Sequence, residues 1–556
     1  MRFKLKETTA ELTHVQVVSV ELTGDVLNTG GECVATAEIP DSFKADHFQS
    51  SYPALVTGED SIEVVTYVEV RGKSDYSIQQ ATATPGGIID KSEVGAALTD
   101  LGVGFGLYQF NQAAAKAGKK AILGCEFYLR QEGGYKYDYD RLVLLAKNRE
   151  GYLALCKLIT LGASRVKASD VKSKVKPHIA LSDLAGIDAG NLIALSAYDD
   201  GAVNRYLWQR NSEGDAKAQE YVNELTSYVS PEDVYLEIQY QKDTDGWLED
   251  DFAIRESITD LAERCGVKLV LTNNYHMIDG GADNMEALHV LQALGQKKSL
   301  DDEPELIQGR ELYVHTSAEM AARNYPVALL DATIEIYNKC QAYDLYSTAN
   351  FMPNFLTPAE FKDATEYFRY VSRKGLASRM GVGSYDEVTP EYKERLEEEM
   401  GLIETMGFVG YFLITADFIS YAKRNYSAYD DATVARWTAF IAEHGYDPAP
   451  IAIGPSRGSA GGSLVSSAMA ITDVAPLRYG LLFERFLNIE RVSMPDIDTD
   501  IPDNKRQEVI HYVQSYYNVS DNPVESRVAG IGVFGTYKIK AVLKAVVRAL
   551  YKNPGF

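Results

Sequence analysis

Met494-Pro-Asp-Ile-Asp-Thr-Asp500 alternates three carboxylates, Asp496, Asp498 and Asp500, with Ile497, Thr499 and Ile501. That is the period of a β-strand, so the carboxylates share one face and an apolar face lies opposite. Clustered carboxylates repel, and their pKa values rise unless cations neutralise them. Hard oxygen ligands with room for water and phosphate suit Mg²⁺, and two such ions clamp the attacking and leaving oxygens of a phosphoryl transfer. Upstream lies Gly454-Pro-Ser-Arg-Gly-Ser-Ala-Gly-Gly-Ser463, then an apolar, small-residue run to Ile471. A glycine-rich turn feeding a helix aims free backbone N–H groups at an anion, and Arg457, Ser459 and Ser463 add donors. Each feature alone also has a plain reading, a solvated acidic face or an ordinary turn. The turn is not a P-loop, because the Gly-Lys-Ser/Thr ending is missing. Phosphate cradle and acidic strand within one stretch, 453–502, suggest nucleotidyl transfer.

Working outward, further blocks stand in order: Ile471-Thr-Asp473, Leu482-Phe-Glu-Arg-Phe-Leu-Asn488, Glu490-Arg-Val-Ser-Met-Pro-Asp-Ile-Asp498 and, upstream, Met406-Gly-Phe-Val-Gly-Tyr-Phe-Leu-Ile414. With the cradle they resemble the palm of bacterial C-family replicative DNA polymerases, the polymerase III alpha subunits. The resemblance runs from about residue 62 to the last residue and is strongest between 391 and 548. It implies a palm of nucleotidyltransferase β-type fold. It also implies attack of a primer 3′-hydroxyl on the α-phosphate of a deoxynucleoside triphosphate. Asp496 and Asp498 would hold two Mg²⁺ ions, with Asp500 ranked below them. Gly458 and Ser459 would cradle the triphosphate, with Arg457 and Arg485 neutralising its charge.

The 556 residues are too many for one ordinary core, so two or more domains are expected. No apolar stretch reaches about 18 residues, so no membrane span is expected. Five scattered cysteines without a CxxC pair suggest neither a disulfide framework nor a zinc site and fit a reducing cytoplasm. The formal net charge of −24 runs against the basic footprint usual for DNA binders. Binding follows the local patch rather than the sum, so much of the surface is expected not to touch DNA.

Residues 1–61 read as an added β-rich unit, with strand-like runs at 15–22 and 32–39. From 62 to 290 strand-like and helix-like runs alternate, with strands expected at 61–70, 120–128, 142–146, 191–196, 234–239 and 267–272. This argues α/β with parallel strands. By resemblance the region is a PHP-like domain, a distorted βα-barrel. Its landmarks are Lys73-Ser-Asp-Tyr-Ser77, Ala97-Leu-Thr-Asp100, Gly124-Cys-Glu-Phe-Tyr128 and Leu271-Thr-Asn-Asn-Tyr-His276. In metal-binding members, histidines and carboxylates hold a metal cluster. Here Arg71, Lys73, Leu101, Gln241 and Asn274 stand at ligand positions, and only Asp100, Glu126 and His276 survive. Cations and a leucine cannot ligate Zn²⁺ or Mn²⁺, so a structural domain is expected rather than a nuclease or phosphatase. The family uses this domain as a platform for a separate proofreading exonuclease.

The palm is expected over 291–533, with a peripheral insertion at 426–452. A helix over 390–407 carries the apolar stripe Tyr392, Leu396, Met400, Ile403 and Met406. Asp503 is expected to cap a helix to Tyr517, with Val509, Ile510, Val513 and Tyr517 buried. Residues 534–556 would begin the thumb, on a helix starting near Thr536. There Lys540, Lys544 and Arg548 form a basic stripe toward primer-template DNA phosphates. The resemblance places a third aspartate and the fingers beyond this stretch. Activity is therefore expected to need a C-terminal polymerase half, with a sliding clamp as a further partner. The rival reading is a non-catalytic subunit that binds DNA or replication proteins.

Overall fold

A computed structural model describes residues 54–58, 61–64, 66–130, 138–167, 175–239, 249–307, 311–323, 325–345, 353–488, 494–518 and 522–551. The runs at 15–22 and 32–39 lie outside these residues, as does Gln241. Of the N-terminal unit, β1 (Ala54–Gly58) is described and pairs antiparallel with β2 (Ser61–Val64). The chain divides into two compact units, Met1–Tyr346 with Val533–Phe556, and Ser347–Gly532.

In the first unit β3 (Gly95–Leu98), β4 (Lys120–Arg130), β5 (Tyr139–Ala146), β6 (His178–Ile179), β7 (Leu192–Leu195), β8 (Val234–Ile238) and β9 (Lys268–Leu271) make one sheet. Its order is β3-β4-β5-β7-β8-β9, with β6 beside β4. Its helices are α1 (Pro85–Lys91), α2 (Leu107–Ala117), α3 (Arg149–Ser164), α4 (Ala202–Leu207), α5 (Ser212–Tyr228), α6 (Glu249–Cys265), α7 (Ala282–Gly295), α8 (Ser317–Ala321) and α9 (Val327–Lys339). The expectation of parallel strands needs correction at β5, which runs antiparallel to both β4 and β7. The link 131–138 is too short for the crossover of a dozen or more residues that a parallel pair requires. β7, β8 and β9 are parallel, and α4 to α6 provide their crossovers.

Alternation sorts the side chains of β5. Leu142 and Leu144 join Leu155 of α3, Val222 of α5 and Leu261 of α6, while Val143 and Leu145 join Ile122, Leu195, Val270 and Ile336. Ile336 lies on α9, with Ala332 in the same cluster. The first unit therefore extends to Tyr346, beyond the boundary expected at 290.

The second unit contains α10 (Ala364–Met380), α11 (Pro390–Thr405), α12 (Val409–Lys423), α13 (Asp431–Glu443), α14 (Leu464–Ala468) and α15 (Asp503–Tyr517). On α15, Pro502 rather than Asp503 occupies the cap position. Ile510 is largely exposed because Tyr512, buried at 1% exposure, takes the inward face with Val509. No single helix among the described residues is long and apolar enough to cross a membrane.

The segment 426–452 is not a peripheral decoration. Its helix α13 sends Trp437 into the core at 0% exposure. The indole N–H donates to Asp417 Oδ1 at 3.2 Å and to the Tyr512 hydroxyl at 2.9 Å. Arg436 pairs with the same carboxylate, and Tyr512 and Tyr517 hydroxyls donate to its other oxygen at 2.7 and 2.9 Å. Burial raises the Asp417 carboxyl, and these partners oppose the rise. Trp437→Ala is expected to destabilise this unit by about 3–5 kcal/mol, the range for a large aromatic removed from a core. Urea unfolding that leaves the midpoint unchanged would show that the helix merely rests on the surface.

Finally, α16 (Ile539–Leu550) belongs to the first unit, where Phe534 sets its ring edge against Tyr76 and Phe105 at 5.3 and 5.1 Å. The expected helix start at Thr536 moves to Ile539.

Candidate active site

The acidic run and the glycine-rich turn lie side by side. Asp498 forms an antiparallel bridge with Arg457, and the Gly454 N–H donates to the Asp500 carbonyl at 3.0 Å. The run is extended, with its expected alternation: Asp496, Asp498 and Asp500 are exposed, Pro495 is buried, and Ile497 and Thr499 are half-buried. It is not the strand that its spacing predicts. Arg457 supplies one bridge rather than a ladder, and a lone bridge does not propagate. Gly458 has a φ of +68°, and a Cβ there would lie 2.8 Å from Asp498 Oδ2. Both the left-handed backbone and the closeness of a carboxylate therefore demand glycine.

Arg457 donates to Asp500 Oδ1 at 3.3 Å, with both side chains more than 60% exposed (66% and 62%). Such a pair is weak, so the guanidinium is readily redirected to an incoming anion. Ser459 and Arg485 are exposed as well. Among the described residues no cation pairs with Asp496 or Asp498, and no group of three or more His, Cys, Asp or Glu is placed to hold a metal. The three carboxylates thus share a face without closing into one cage. Two accessible carboxylates fit Mg²⁺, which keeps several waters and takes one or two carboxylates plus substrate phosphates.

Ser463 is not the anion donor its position suggested. It is buried at 0% exposure, and its hydroxyl donates to Glu399 Oε2 at 2.9 Å. The Val465 N–H donates to the same oxygen at 3.0 Å, while the Ser466 N–H donates to Ser463 Oγ at 3.0 Å. A carboxylate of the protein itself thus occupies the N-terminus of α14, while the turn 457–459 is exposed. Glu399 escaped the sequence reading. Its signal was a charged residue on the apolar stripe of α11, between Leu396 and Ile403 and beside Met400.

In the first unit two of the expected metal-ligand positions, Arg71 and Lys73, hold cations. Glu126, at 0% exposure, accepts from Arg71 Nη2 at 3.0 Å, Lys73 Nζ at 2.8 Å and Arg141 Nη1 at 2.7 Å. Arg71 also donates to Glu237 at 3.0 Å, and Lys73 to Asn274 at 2.8 Å. Burial would raise the Glu126 carboxyl, but the three cations outweigh it and hold it well below the usual carboxylate range. Burial pushes the Lys73 ammonium down, Glu126 opposes this and Arg71 adds to it. Asp100 is held by Ser74 and Ser77, whose hydroxyls both donate at 2.7 Å. His276 is pushed down to about 3 by burial, with Lys73 adding to it, so it is neutral at neutral pH.

Lys540, Lys544 and Arg548 are all exposed on α16. The apolar stripe beside them is exposed too, with Ile539 at 80% and Leu543 at 61%. Only Ala549 of that helix is buried.

Residues 69–241 match the family model described as the PHP domain. Residues 366–430 and 433–555 match the bacterial DNA polymerase III alpha NTPase domain. The second match takes in 433–452, most of the segment expected to be an insertion. The DNA polymerase III subunit alpha of Borreliella burgdorferi is 33% identical over 499 residues, covering 87% of this chain and 39% of that protein. The Treponema pallidum subunit is 32% identical over 87% of this chain and 38% of its own length. That of Pseudomonas aeruginosa is 34% identical over 83% and 36%. The chain therefore spans less than two fifths of the length of these relatives.

Proposed function

We propose that this chain is a member of the bacterial DNA polymerase III alpha family, to whose subunits it is similar over most of its length, and that it carries the nucleotidyl-transfer site of a DNA-directed DNA polymerase, on a palm formed within the second unit. The observation that carries this reading is the bridge of Arg457 to Asp498, which sets a basic glycine-rich turn beside accessible carboxylates. A primer 3′-hydroxyl would attack the α-phosphate of a deoxynucleoside triphosphate, releasing pyrophosphate. Asp496 and Asp498 would hold Mg²⁺, which when bound supplies charge neutralisation at the reacting phosphate. Gly458 and Ser459 offer the phosphates a turn without an obstructing side chain on the carboxylate side. Arg457 would exchange Asp500 for the triphosphate, and Arg485 would add positive charge. Such positioning and neutralisation supply most of phosphoryl-transfer catalysis. Lys540, Lys544 and Arg548 would contact DNA phosphates. A sliding clamp and a proofreading exonuclease are the partners that this reading implies.

The PHP domain would act as a structural platform. Arg71 and Lys73 supply the positive charge around Glu126 that a metal would otherwise provide, so no metal chemistry is assigned there.

The test is equilibrium binding of a deoxynucleoside triphosphate with Mg²⁺ by the full chain. Arg457→Ala is expected to weaken binding at least about tenfold, the scale of one charge-assisted contact. Binding unchanged in the variant would remove the turn from the site. A chain that binds primer-template DNA but no nucleotide would favour the non-catalytic reading.

A further inference from the structure

Two segments far apart in sequence carry the proposed nucleotide contacts: the turn with Arg457, Gly458 and Ser459, and the turn with Arg485. Each is a single short turn, Gly458–Gly462 and Phe483–Arg485. One pair of side chains on α11 reaches both. Glu399 is fully buried and binds the end of the first turn through Ser463 Oγ and the Val465 N–H. Its other oxygen accepts from Arg395 Nε at 2.6 Å. Arg395 Nη2 then lies 3.4 Å from the carbonyl of Gly462, at the end of the first turn, and 3.4 Å from that of Leu481, at the start of the second. Its guanidinium also sits 5.9 Å from the ring of Phe483. Gly462 itself passes so close that an added Cβ would lie 2.8 Å from the Leu482 carbonyl.

We propose that Arg395 and Glu399 form a positioning pair that fixes the spacing of the two phosphate-contacting turns, and so sets affinity for the triphosphate without touching it. The chemistry favours this over a generic packing role. A buried carboxylate must be fully partnered to stay charged, and Glu399 is partnered by the Arg395 guanidinium, the Ser463 hydroxyl and the Val465 N–H. An apolar residue at 399 would fill the stripe of α11 equally well but would leave the Ser463 hydroxyl and the Val465 N–H buried without an acceptor. Arg395 reaches backbone at the end of the first turn and just before the second. Burial raises the Glu399 carboxyl, with Arg395 and the cradle donors opposing.

The inference rests on the proposed nucleotide site, and its test separates the two. Binding of a deoxynucleoside triphosphate with Mg²⁺, and separately of primer-template DNA, is measured for the full chain and for E399A, E399Q, R395M and R457A. Expected are a loss of at least about tenfold in triphosphate affinity for E399A and R395M, with DNA affinity unchanged within about twofold. E399Q keeps an acceptor for Ser463 and Val465 and is expected to recover most of that loss. A generic folding defect of the second unit would lower the urea-unfolding midpoint, which is measured for every variant beside binding and is expected to stay unchanged in R395M and E399Q. A lowered midpoint in both would overturn the positioning role, and R395M guards against E399A failing to fold. If R457A loses triphosphate affinity while E399A and R395M retain it, the positioning pair is overturned. If the unmodified chain binds no triphosphate, the nucleotide-site reading fails and this inference fails with it.

Discussion

Asp496→Asn and Asp498→Asn are each expected to reduce nucleotide incorporation about a thousandfold in an assembly competent for synthesis, with primer-template affinity nearly unchanged. Amide for carboxylate keeps the volume and removes the negative charge that holds Mg²⁺. Several kcal/mol of transition-state stabilisation are then lost, and each ~1.4 kcal/mol is about tenfold in rate. Both residues are exposed and pair with no cation among the described residues, so the substitutions break no internal ion pair and folding should be unaffected. Asp500→Asn is the informative contrast. That carboxylate already engages Arg457, and its loss frees the guanidinium, so a smaller effect on incorporation is expected. Single-turnover incorporation measures all three. Rates near the unmodified value for Asp496→Asn or Asp498→Asn would exclude that residue from the chemistry.

Glu126→Gln is expected to destabilise the first unit by about 3–5 kcal/mol. Its removal leaves the buried cations Arg71 and Lys73 without the carboxylate that both contact, the situation in which broken buried pairs cost most. The pH dependence has a definite sign. The folded Glu126 is held below its ordinary value, so its contribution is fully present above about pH 4.5, near the unfolded pKa, and is lost as pH falls through the folded value. The stability gap between the unmodified chain and Glu126→Gln should therefore be constant at neutral pH and narrow in acid. Urea unfolding at several pH values checks this. A variant as stable as the unmodified chain at pH 7 would mean that the cations find other partners.

Much of the site was legible without coordinates because it is contiguous. Alternation in 494–500 correctly set the three aspartates on the exposed side, while the glycine at 458, read as part of an anion cradle, lies against the Asp498 carboxylate, a neighbour the local sequence did not announce. The resemblance marked positions 71 and 73 as would-be ligand positions, and residue type then showed that Arg71 and Lys73 cannot ligate. Local pattern was insufficient where partners came from distant segments. Periodicity treated 494–500 as a strand, yet strand formation needs a neighbouring strand, and the pairing described is one bridge to Arg457 beside the Gly454 contact. Ser463 looked free beside a helix start, and only packing of α11 showed that Glu399 already occupies it. The segment 426–452 looked peripheral because it read as an insertion relative to the family, and local pattern does not say what Trp437 packs against. Its burial depends on Asp417 and Tyr512, which come from α12 and α15. Residue type and local period carry chemistry and facing. The pairing of donors with acceptors across the chain is a property of packing, because a hydrogen bond or ion pair is satisfied by whichever group the fold brings within reach.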